Sequence, residues 1–308
     1  MRTFRYGTFL FCLTLFSGLF NLFAQGEEST PTTKVIVSIK PIHSLVAAIM
    51  EGDDPPMLLV DGAQSPHGYQ LRPSQIETLH HADIVFYTAP EIESFLVKPL
   101  QTLSSTSQAI ALINAPGLTI LGLHSGGAWR TDESNQTADR DPHIWLDPEN
   151  AKAIAHEIAR VLKERYPENT ALYDTNEQKL EQTLDALNSA LSQSLTPYEN
   201  APFIVFHDAY QYFIHAYSLH AVGAITLEPE QEPGIKRIAQ IRDIVKSAQI
   251  SCVFSEPQFS PRLVQAVTDG TGIKVGALDP LGADLVAGPD LYPALLRHMS
   301  DNVTNCLQ

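Results

Sequence analysis

The stretch that decides the fold is KVIVSIKPIHSLVAAIM, which occupies residues 34–50. Its first part is a short, continuous run rich in β-branched side chains, which is typical of a strand buried in a parallel sheet. Pro41 then begins a helical pattern that continues to Met50, because proline is favoured in the first turn of a helix. A buried strand followed at once by a helix predicts the beginning of a parallel βαβ unit.

Strands and helical patterns continue to alternate through both halves of the chain. In the first half, further strands are predicted at residues 57–60, 84–87 and 109–113, with helices at 74–81 and 92–103. In the second half, strands are predicted at residues 203–206, 224–227, 252–254 and 274–278, with helices at 209–217, 233–245 and 261–267. This alternation predicts an α/β fold made of two similar lobes, each built on a parallel sheet.

One long helix is predicted between the two lobes. Leucines recur near a helical period from Leu172 to Leu195, and neither glycine nor proline interrupts residues 168–196. At about 1.5 Å per residue, such a helix spans roughly 42 Å, so it can join two lobes as a stiff connector. The predicted divisions are an N-terminal lobe at residues 25–166, the connecting helix at 167–197 and a C-terminal lobe at 198–308, with the ligand site in the cleft between the lobes.

The N-terminus has the layout of a secretory signal peptide. Arg2 and Arg5 precede an apolar run at residues 8–23, and Ala24 supplies a small residue just before a polar stretch. We therefore predict a cleavable signal peptide at residues 1–24 and export of the mature chain. An uncleaved membrane anchor is the alternative, but the apolar run is short for a membrane span.

The composition excludes one class of partner. Hydrophobic residues make up 44% of the chain, which is enough for a sizeable core. The chain has 35 acidic and 20 basic residues and a net charge of −15, whereas nucleic-acid binding needs a basic face. We therefore expect no nucleic acid as a partner.

The cysteines predict one covalent link. Cys12 lies inside the predicted signal peptide, so cleavage leaves Cys252 and Cys306 as an even pair in an oxidising compartment. We predict that these two residues form a disulfide. Two unrelated buried thiols are the alternative.

Candidate ligands follow several of the predicted strands. His67 lies in the turn-rich loop after the strand at residues 57–60, His207 directly follows another strand, and Asp279 follows the strand at 274–278. His143 precedes a helix that Asp147 can cap. Ligands bind beyond the carboxyl ends of parallel strands, so these side chains can converge between the lobes. Three imidazoles and one carboxylate form a set that suits Zn²⁺.

Four sequence blocks give a resemblance to a known family. They are SPHGYQLRPS at residues 65–74, DPHIWLDP at 141–148, VFHDAY at 205–210 and LDPLG at 278–282. Their order and spacing, together with the long central helix, resemble the cluster 9 metal-binding proteins. These are the solute-binding subunits of zinc and manganese ABC importers, and the chain is most similar to the zinc-type members of Gram-negative bacteria.

The resemblance implies a function and a site. It implies a periplasmic, non-enzymatic carrier that captures Zn²⁺ and delivers it to a membrane permease driven by a cytoplasmic ATPase. The residues matching His67, His143 and His207 bind the metal, and Asp279 completes or flanks the site, with water as the other candidate for the fourth ligand. A monomer is expected, and an accessory periplasmic zinc chaperone is a further candidate partner.

Two alternatives to a zinc carrier remain open. Manganese-type members tend to carry glutamate where this chain has His207, so the imidazole favours zinc over a manganese or iron carrier. A zinc-dependent hydrolase could use the same histidines, although no His-Glu-x-x-His helix is present. A surface adhesion module on the same fold is a third possibility.

Two further expectations concern neighbouring segments. Residues 124–141 contain one histidine and four acidic residues, which predicts a mobile polar loop rather than a second metal site. Glu256 follows a strand and could hold a ligand histidine in one tautomer, but we expect a salt bridge or a cap there instead.

Overall fold

The computed structural model describes residues 1, 3, 35–124, 129, 136–247 and 250–308. The predicted signal peptide therefore lies outside the described residues, except for residues 1 and 3. Thr33–Gln308 forms one compact unit, and the predicted lobe boundaries at residues 25–166, 167–197 and 198–308 stay predictions. Within the described ranges, no helix combines the length and the apolar character that a membrane span requires.

Strands and helices alternate along the described residues. The strands are β1 (Val35–Ile39), β2 (Met57–Val60), β3 (Ile84–Tyr87), β4 (Gln108–Ala111), β5 (Gly122–His124), β6 (Gln136–Arg140), β7 (Phe203–His207), β8 (Ala221–Thr226), β9 (Cys252–Ser255) and β10 (Lys274–Ala277). The α-helices are α1 (Lys40–Ile49), α2 (Pro73–His80), α3 (Ser94–Leu100), α4 (Pro148–Arg165), α5 (Thr170–Leu195), α6 (Gln211–Ala216), α7 (Ile235–Ser247), α8 (Arg262–Thr268) and α9 (Leu291–Leu307).

Two parallel four-stranded sheets form the framework. The first sheet has the strand order β2-β1-β3-β4, and the second has the order β10-β9-β7-β8. All their pairings are parallel, so the carboxyl ends of the strands lie along one edge of each sheet. The central strands β1 and β7 are buried along their whole length, in agreement with their β-branched and aromatic sequences. The predicted α/β fold with two parallel sheets is confirmed.

The predicted connecting helix is present as α5. Leu180, Leu184, Leu187, Leu191 and Leu195 are buried at spacings of three and four residues, which places them on one face of the helix. This face packs against α4, α1 and α9. One helix thus serves as the common packing surface for elements from both halves of the chain.

The segment at residues 124–141 was predicted as a mobile polar loop, and strands are found at its two ends. Its two ends belong to strands β5 and β6, which pair antiparallel with Gly122 opposite Arg140. The intervening residues 125–128 and 130–135 lie outside the described part of the chain. His124 fixes the end of β5, because its Nδ1 donates a hydrogen bond to the Asp208 carboxylate at 3.0 Å.

The C-terminal helix α9 was not anticipated from the sequence. It buries Leu291, Leu295, Met299 and Val303, which recur every four residues along one face. A disulfide joins Cys306 on this helix to Cys252 on β9, as predicted, across a sequence separation of 54 residues. The bond fastens α9 to the second sheet, while the helix also packs against α1 and α5.

Lys40 connects the two sheets at the beginning of α1. Its ammonium donates hydrogen bonds to the carbonyl oxygens of Ala283 and Leu285, both at 2.9 Å, and of Gly282 at 3.2 Å. These residues follow β10 in the second sheet, whereas Lys40 directly follows β1 in the first. The same ammonium lies 3.2 Å from the Asp61 carboxylate, in the loop that carries His67. One buried cation therefore holds two loops that flank the space between the sheets.

We predict that Lys40→Met lowers the free energy of unfolding by about 3 kcal/mol. The contacts of the Lys40 ammonium with the two loops are called the Lys40 clasp below. The substitution keeps the length of the buried side chain but removes the ammonium that donates these bonds, and hydrogen bonds to a charged group contribute about 1.5–3 kcal/mol each. Urea unfolding of the metal-free protein measures the change. The control is Lys179→Met, which removes an exposed lysine paired with Glu51 and should leave the unfolding midpoint unchanged. Equal midpoints for wild type and Lys40→Met would contradict the clasp.

Candidate metal site

Three histidines from three separate segments converge between the sheets. His67 lies on the loop after β2, His143 lies between β6 and α4, and His207 is the last residue of β7. One ring nitrogen of each lies within 4.8 Å of the others. The ring centroids are 5.6 Å apart for His67–His143, 5.6 Å for His67–His207 and 5.4 Å for His143–His207. The three rings therefore surround one point at nearly equal distances.

The local sequence explains the position of each ring. His207 ends a fully buried strand, so its side chain emerges at the carboxyl edge of the second sheet. His143 lies just before α4, whose first turn is capped by Asp147 through a 2.8 Å bond from the Glu149 backbone N–H. The His67 loop is held near β2, because the Gln75 amide donates to the Leu59 carbonyl oxygen at 2.7 Å.

Two buried carboxylates set the orientation of two of the rings. Nδ1 of His143 donates to Asp141 at 2.7 Å, and Nδ1 of His207 donates to Glu256 at 2.7 Å and 2.9 Å. Each Nδ1 is engaged by its carboxyl group, so Nε2 is the ring nitrogen that is left for another partner. Glu256 thus pairs with His207 and takes the role of the acceptor that holds a ligand histidine in one tautomer, which was the less favoured of the two sequence interpretations.

The converging nitrogens are unpaired. Among the described residues, Nε2 of His67, His143 and His207 are all buried and have no hydrogen-bond partner. A buried polar atom without a partner costs roughly 1–3 kcal/mol, so three such atoms at one point call for a common acceptor of their lone pairs. Three neutral imidazoles match the nitrogen-rich, tetrahedral donor set that Zn²⁺ prefers. The residues present therefore fit a zinc ion.

The environment keeps two of the rings neutral. Burial, followed by the charges of His143 and His207, lowers the pKa of His67 to about 2. Burial also lowers the pKa of His143 well below its ordinary value, and His207 adds to this effect. Burial acts in the same direction on His207, but the charge and hydrogen bond of Glu256, together with the charges of Asp208 and Asp141, outweigh it and raise the pKa of that imidazole. At neutral pH, His67 and His143 are therefore ready to donate lone pairs to a cation.

Asp279, the fourth residue predicted for the site, does not join the group of converging ligand atoms. Its Oδ1 accepts hydrogen bonds from the Gln258 amide at 2.7 Å and from the backbone N–H groups of Leu281 and Gly282, both at 3.0 Å. Its Oδ2 accepts from the Ala283 N–H at 2.5 Å. The carboxylate therefore organises the loop beside the site, and its role as a direct ligand stays a prediction.

Two cavities lead to the histidines. The inner cavity is lined by the three rings together with apolar side chains, among them Trp145, Phe259 and Leu281. Trp145 is fixed there, because its indole N–H donates to the Pro280 carbonyl oxygen at 2.8 Å. The outer cavity has a volume of about 470 Å³ and is lined by Arg72 and Glu230, among others. The metal site is thus a small, mostly apolar chamber with a wider polar entrance.

Sequence reasoning missed Asp141 as the partner of His143, and it named Glu256 only as the less favoured partner of a ligand histidine. Asp141 lies two residues before His143 in the Asp-Pro-His block, so its proximity could have been inferred from local spacing. Glu256 lies 49 residues from His207, and only the pairing of β7 with β9 brings the two together.

Comparison with known proteins gives concordant results. A family model for ZnuA, the zinc-uptake complex component A periplasmic, matches residues 35–306. The high-affinity zinc uptake system protein ZnuA of Brucella abortus (strain 2308) is 43% identical over 304 residues, which cover 89% of this chain and 91% of that protein. The protein of the same name from Yersinia pestis is 36% identical over 290 residues, with coverages of 89% and 91%.

Solved structures agree with the fold. A crystal structure of ZnuA has a TM-score of 0.76 and 28% identity, and the match covers 89% of this chain and 98% of that chain. A zinc-bound ZnuA deletion mutant has a TM-score of 0.74 and 29% identity, with coverages of 89% and 97%. The periplasmic zinc-binding protein TroA of Treponema pallidum has a TM-score of 0.76 at 20% identity, over 89% and 98%, and supports the fold alone.

The family resemblance inferred from the four sequence blocks is thereby confirmed. The family model spans both sheets, the connecting helix and all three converging histidines. On this evidence the chain belongs to the ZnuA family of periplasmic zinc-uptake components.

Proposed function

We propose that this chain captures Zn²⁺ between its two sheets and hands it to the membrane permease of an ABC importer. The observation that carries the proposal is the convergence on one point of three buried Nε2 atoms that have no partner among the residues the structure describes. Relatives that match 89% of the chain are named high-affinity zinc uptake system proteins. The family consists of solute-binding transport components, so the chain is a carrier and not an enzyme.

The finer parts of the proposal rest on the same family relationship. The mature protein works in the periplasm, after removal of residues 1–24, and the permease is powered by a cytoplasmic ATPase. The carrier acts as a monomer, and an accessory periplasmic zinc chaperone is a candidate source of the metal. The acidic charge of −15 suits a protein whose cargo is a cation.

The protein binds its cargo through three neutral nitrogens in an apolar chamber. Zinc accepts the lone pairs of His67, His143 and His207, and Asp279 or water supplies the fourth position. Asp141 and Glu256 increase the basicity of two of these ligands through their Nδ1 hydrogen bonds. Manganese prefers oxygen ligands, so a set of three imidazoles favours zinc.

The first prediction concerns metal selectivity. After removal of metal with a chelator and dialysis against equimolar Zn²⁺ and Mn²⁺, the wild-type protein should retain about one zinc per chain, as its single three-histidine site dictates. His207→Glu replaces a nitrogen with a hard oxygen and should raise the bound Mn/Zn ratio about tenfold or more. Bound metal is quantified by elemental analysis.

Two further variants make this comparison specific. His207→Glu combined with Glu256→Gln avoids two adjacent buried carboxylates and should show the same shift in selectivity. His80→Glu changes an exposed histidine on α2 and should bind metals like the wild type. A wild-type protein that retains no zinc, or an unchanged ratio in both His207 variants, would contradict the proposal.

The second prediction concerns pH. His67 and His143 are neutral across the physiological range, but the raised pKa of His207 means that this ring is protonated at the acidic end. Zinc must displace that single proton, so its affinity should be constant above the pKa of His207 and fall about tenfold per pH unit below it. Chelator competition at a series of pH values measures the affinity.

Glu256→Gln supplies the matching control for the pH prediction. Loss of the carboxylate removes the charge that raises the pKa of His207, so the decline in zinc affinity should begin at a lower pH. The same onset in wild type and variant would refute the assignment of the proton to His207.

A further inference from the structure

We propose that Gln258 holds the water molecule that completes the zinc coordination, and that Asp279 is the positioning residue that fixes Gln258. The inference rests on the proposed zinc site and assigns the fourth position. In this arrangement Asp279 acts on the metal site through the Gln258 side chain and is not itself a ligand.

The orientation of the Gln258 amide follows from its partner. Its Nε2 donates to Oδ1 of Asp279 at 2.7 Å, and an ionised carboxylate cannot donate in return. The amide nitrogen must therefore face Asp279, so the amide oxygen faces away from it. That oxygen, Oε1, is buried and has no hydrogen-bond partner among the described residues.

The residue that carries the unpaired oxygen lines the same chamber as the histidines. Gln258 lines the inner cavity together with His67, His143 and His207. Among the described residues that line this cavity, four side-chain atoms are buried without a hydrogen-bond partner, namely the three Nε2 atoms and Oε1 of Gln258. The three Nε2 atoms can donate lone pairs to a metal, and Oε1 can accept a hydrogen bond from a metal-bound water. Each of the four atoms then has a partner.

Asp279 itself has little capacity left for a metal. Its two oxygens already accept four hydrogen bonds, three from backbone N–H groups of the loop and one from Gln258. Three of these bonds saturate Oδ1, and the fourth holds Oδ2 toward the backbone N–H of Ala283. The same loop is held from its other side by Lys40, which donates to the carbonyl oxygens of Gly282, Ala283 and Leu285. The loop therefore fixes the position of the Asp279 carboxylate, and this carboxylate in turn holds the Gln258 amide.

Gln258 lies where the two cavities share their lining. Gln258, Ser65 and Phe259 line both the inner cavity and the outer cavity. Zinc sites with three protein ligands keep a water in the fourth position, and a neutral amide oxygen is a hydrogen-bond acceptor for it rather than a usual zinc ligand. An exchangeable water on the side of the entrance suits a carrier that must release its cargo.

The test is a double-mutant cycle on zinc affinity, measured by chelator competition. Gln258→Met keeps the side-chain length but removes the acceptor, and it should weaken zinc binding about 10-fold or more, as outer-shell substitutions do. Asp279→Asn should weaken binding similarly, because it releases Gln258. The double variant should be no weaker than the more affected single variant, since both act through one oxygen.

Several controls keep the outcomes distinct. Gln70 lines the outer cavity but not the inner one. Gln70→Met should therefore bind zinc like the wild type. Gln258→Asn keeps the amide but withdraws it from the chamber, so it should weaken binding as Gln258→Met does. In the Co²⁺-loaded protein, the visible absorption bands should change in Gln258→Met, because the fourth ligand loses its fixed orientation.

Two results would overturn the inference while leaving the zinc carrier intact. One is wild-type zinc affinity in both Gln258 variants. The other is a fully additive cycle, which would mean that Asp279 acts on the metal without Gln258. Failure of the wild-type protein to bind zinc would instead overturn the proposed function itself.

Discussion

The metal site is built around three buried imidazole nitrogens that have no hydrogen-bond partner in the described part of the chain. Nε2 of His67, His143 and His207 meet in an apolar chamber, where each unsatisfied lone pair is costly. Asp141 and Glu256 set the orientation of two of the rings, because they bind Nδ1 of His143 and of His207. The fold thus places donor atoms at a fixed distance from one another before any cation arrives.

The frame around the chamber resists movement. Both sheets contribute to it, and their connection relies on α5, on the disulfide-anchored α9 and on the Lys40 clasp. Trp145 adds another link, since it donates to Pro280 and its carbonyl oxygen accepts a 2.6 Å bond from the Tyr292 hydroxyl of α9. The three histidines are attached to these fixed elements, which is the condition for a selective metal site.

Much of this arrangement could be predicted from the sequence. The alternation of strands and helices is a local pattern that the sequence shows directly. The rule that ligands lie beyond the carboxyl ends of parallel strands identified His67 and His207 as candidate ligands. The pairing of β5 with β6 was missed, because their polar residues carry no clear period. Helix α9 was missed although Leu291, Leu295, Met299 and Val303 do follow a helical period. Glu256 was named as a candidate partner of a ligand histidine, but its pairing with His207 and the orientation of Gln258 could not be predicted, since both depend on contacts between distant segments.

X-ray absorption at the zinc edge, on protein loaded with one equivalent of Zn²⁺, counts the imidazole ligands of the metal. Coordination by His67, His143 and His207 predicts four light ligands, three of them with the outer-shell scattering of imidazole, at about 2.0 Å from the metal. Substitution of alanine for any one of the three histidines should reduce the imidazole count by one. A spectrum dominated by oxygen ligands, or one with fewer than three imidazoles in the wild-type protein, would contradict it.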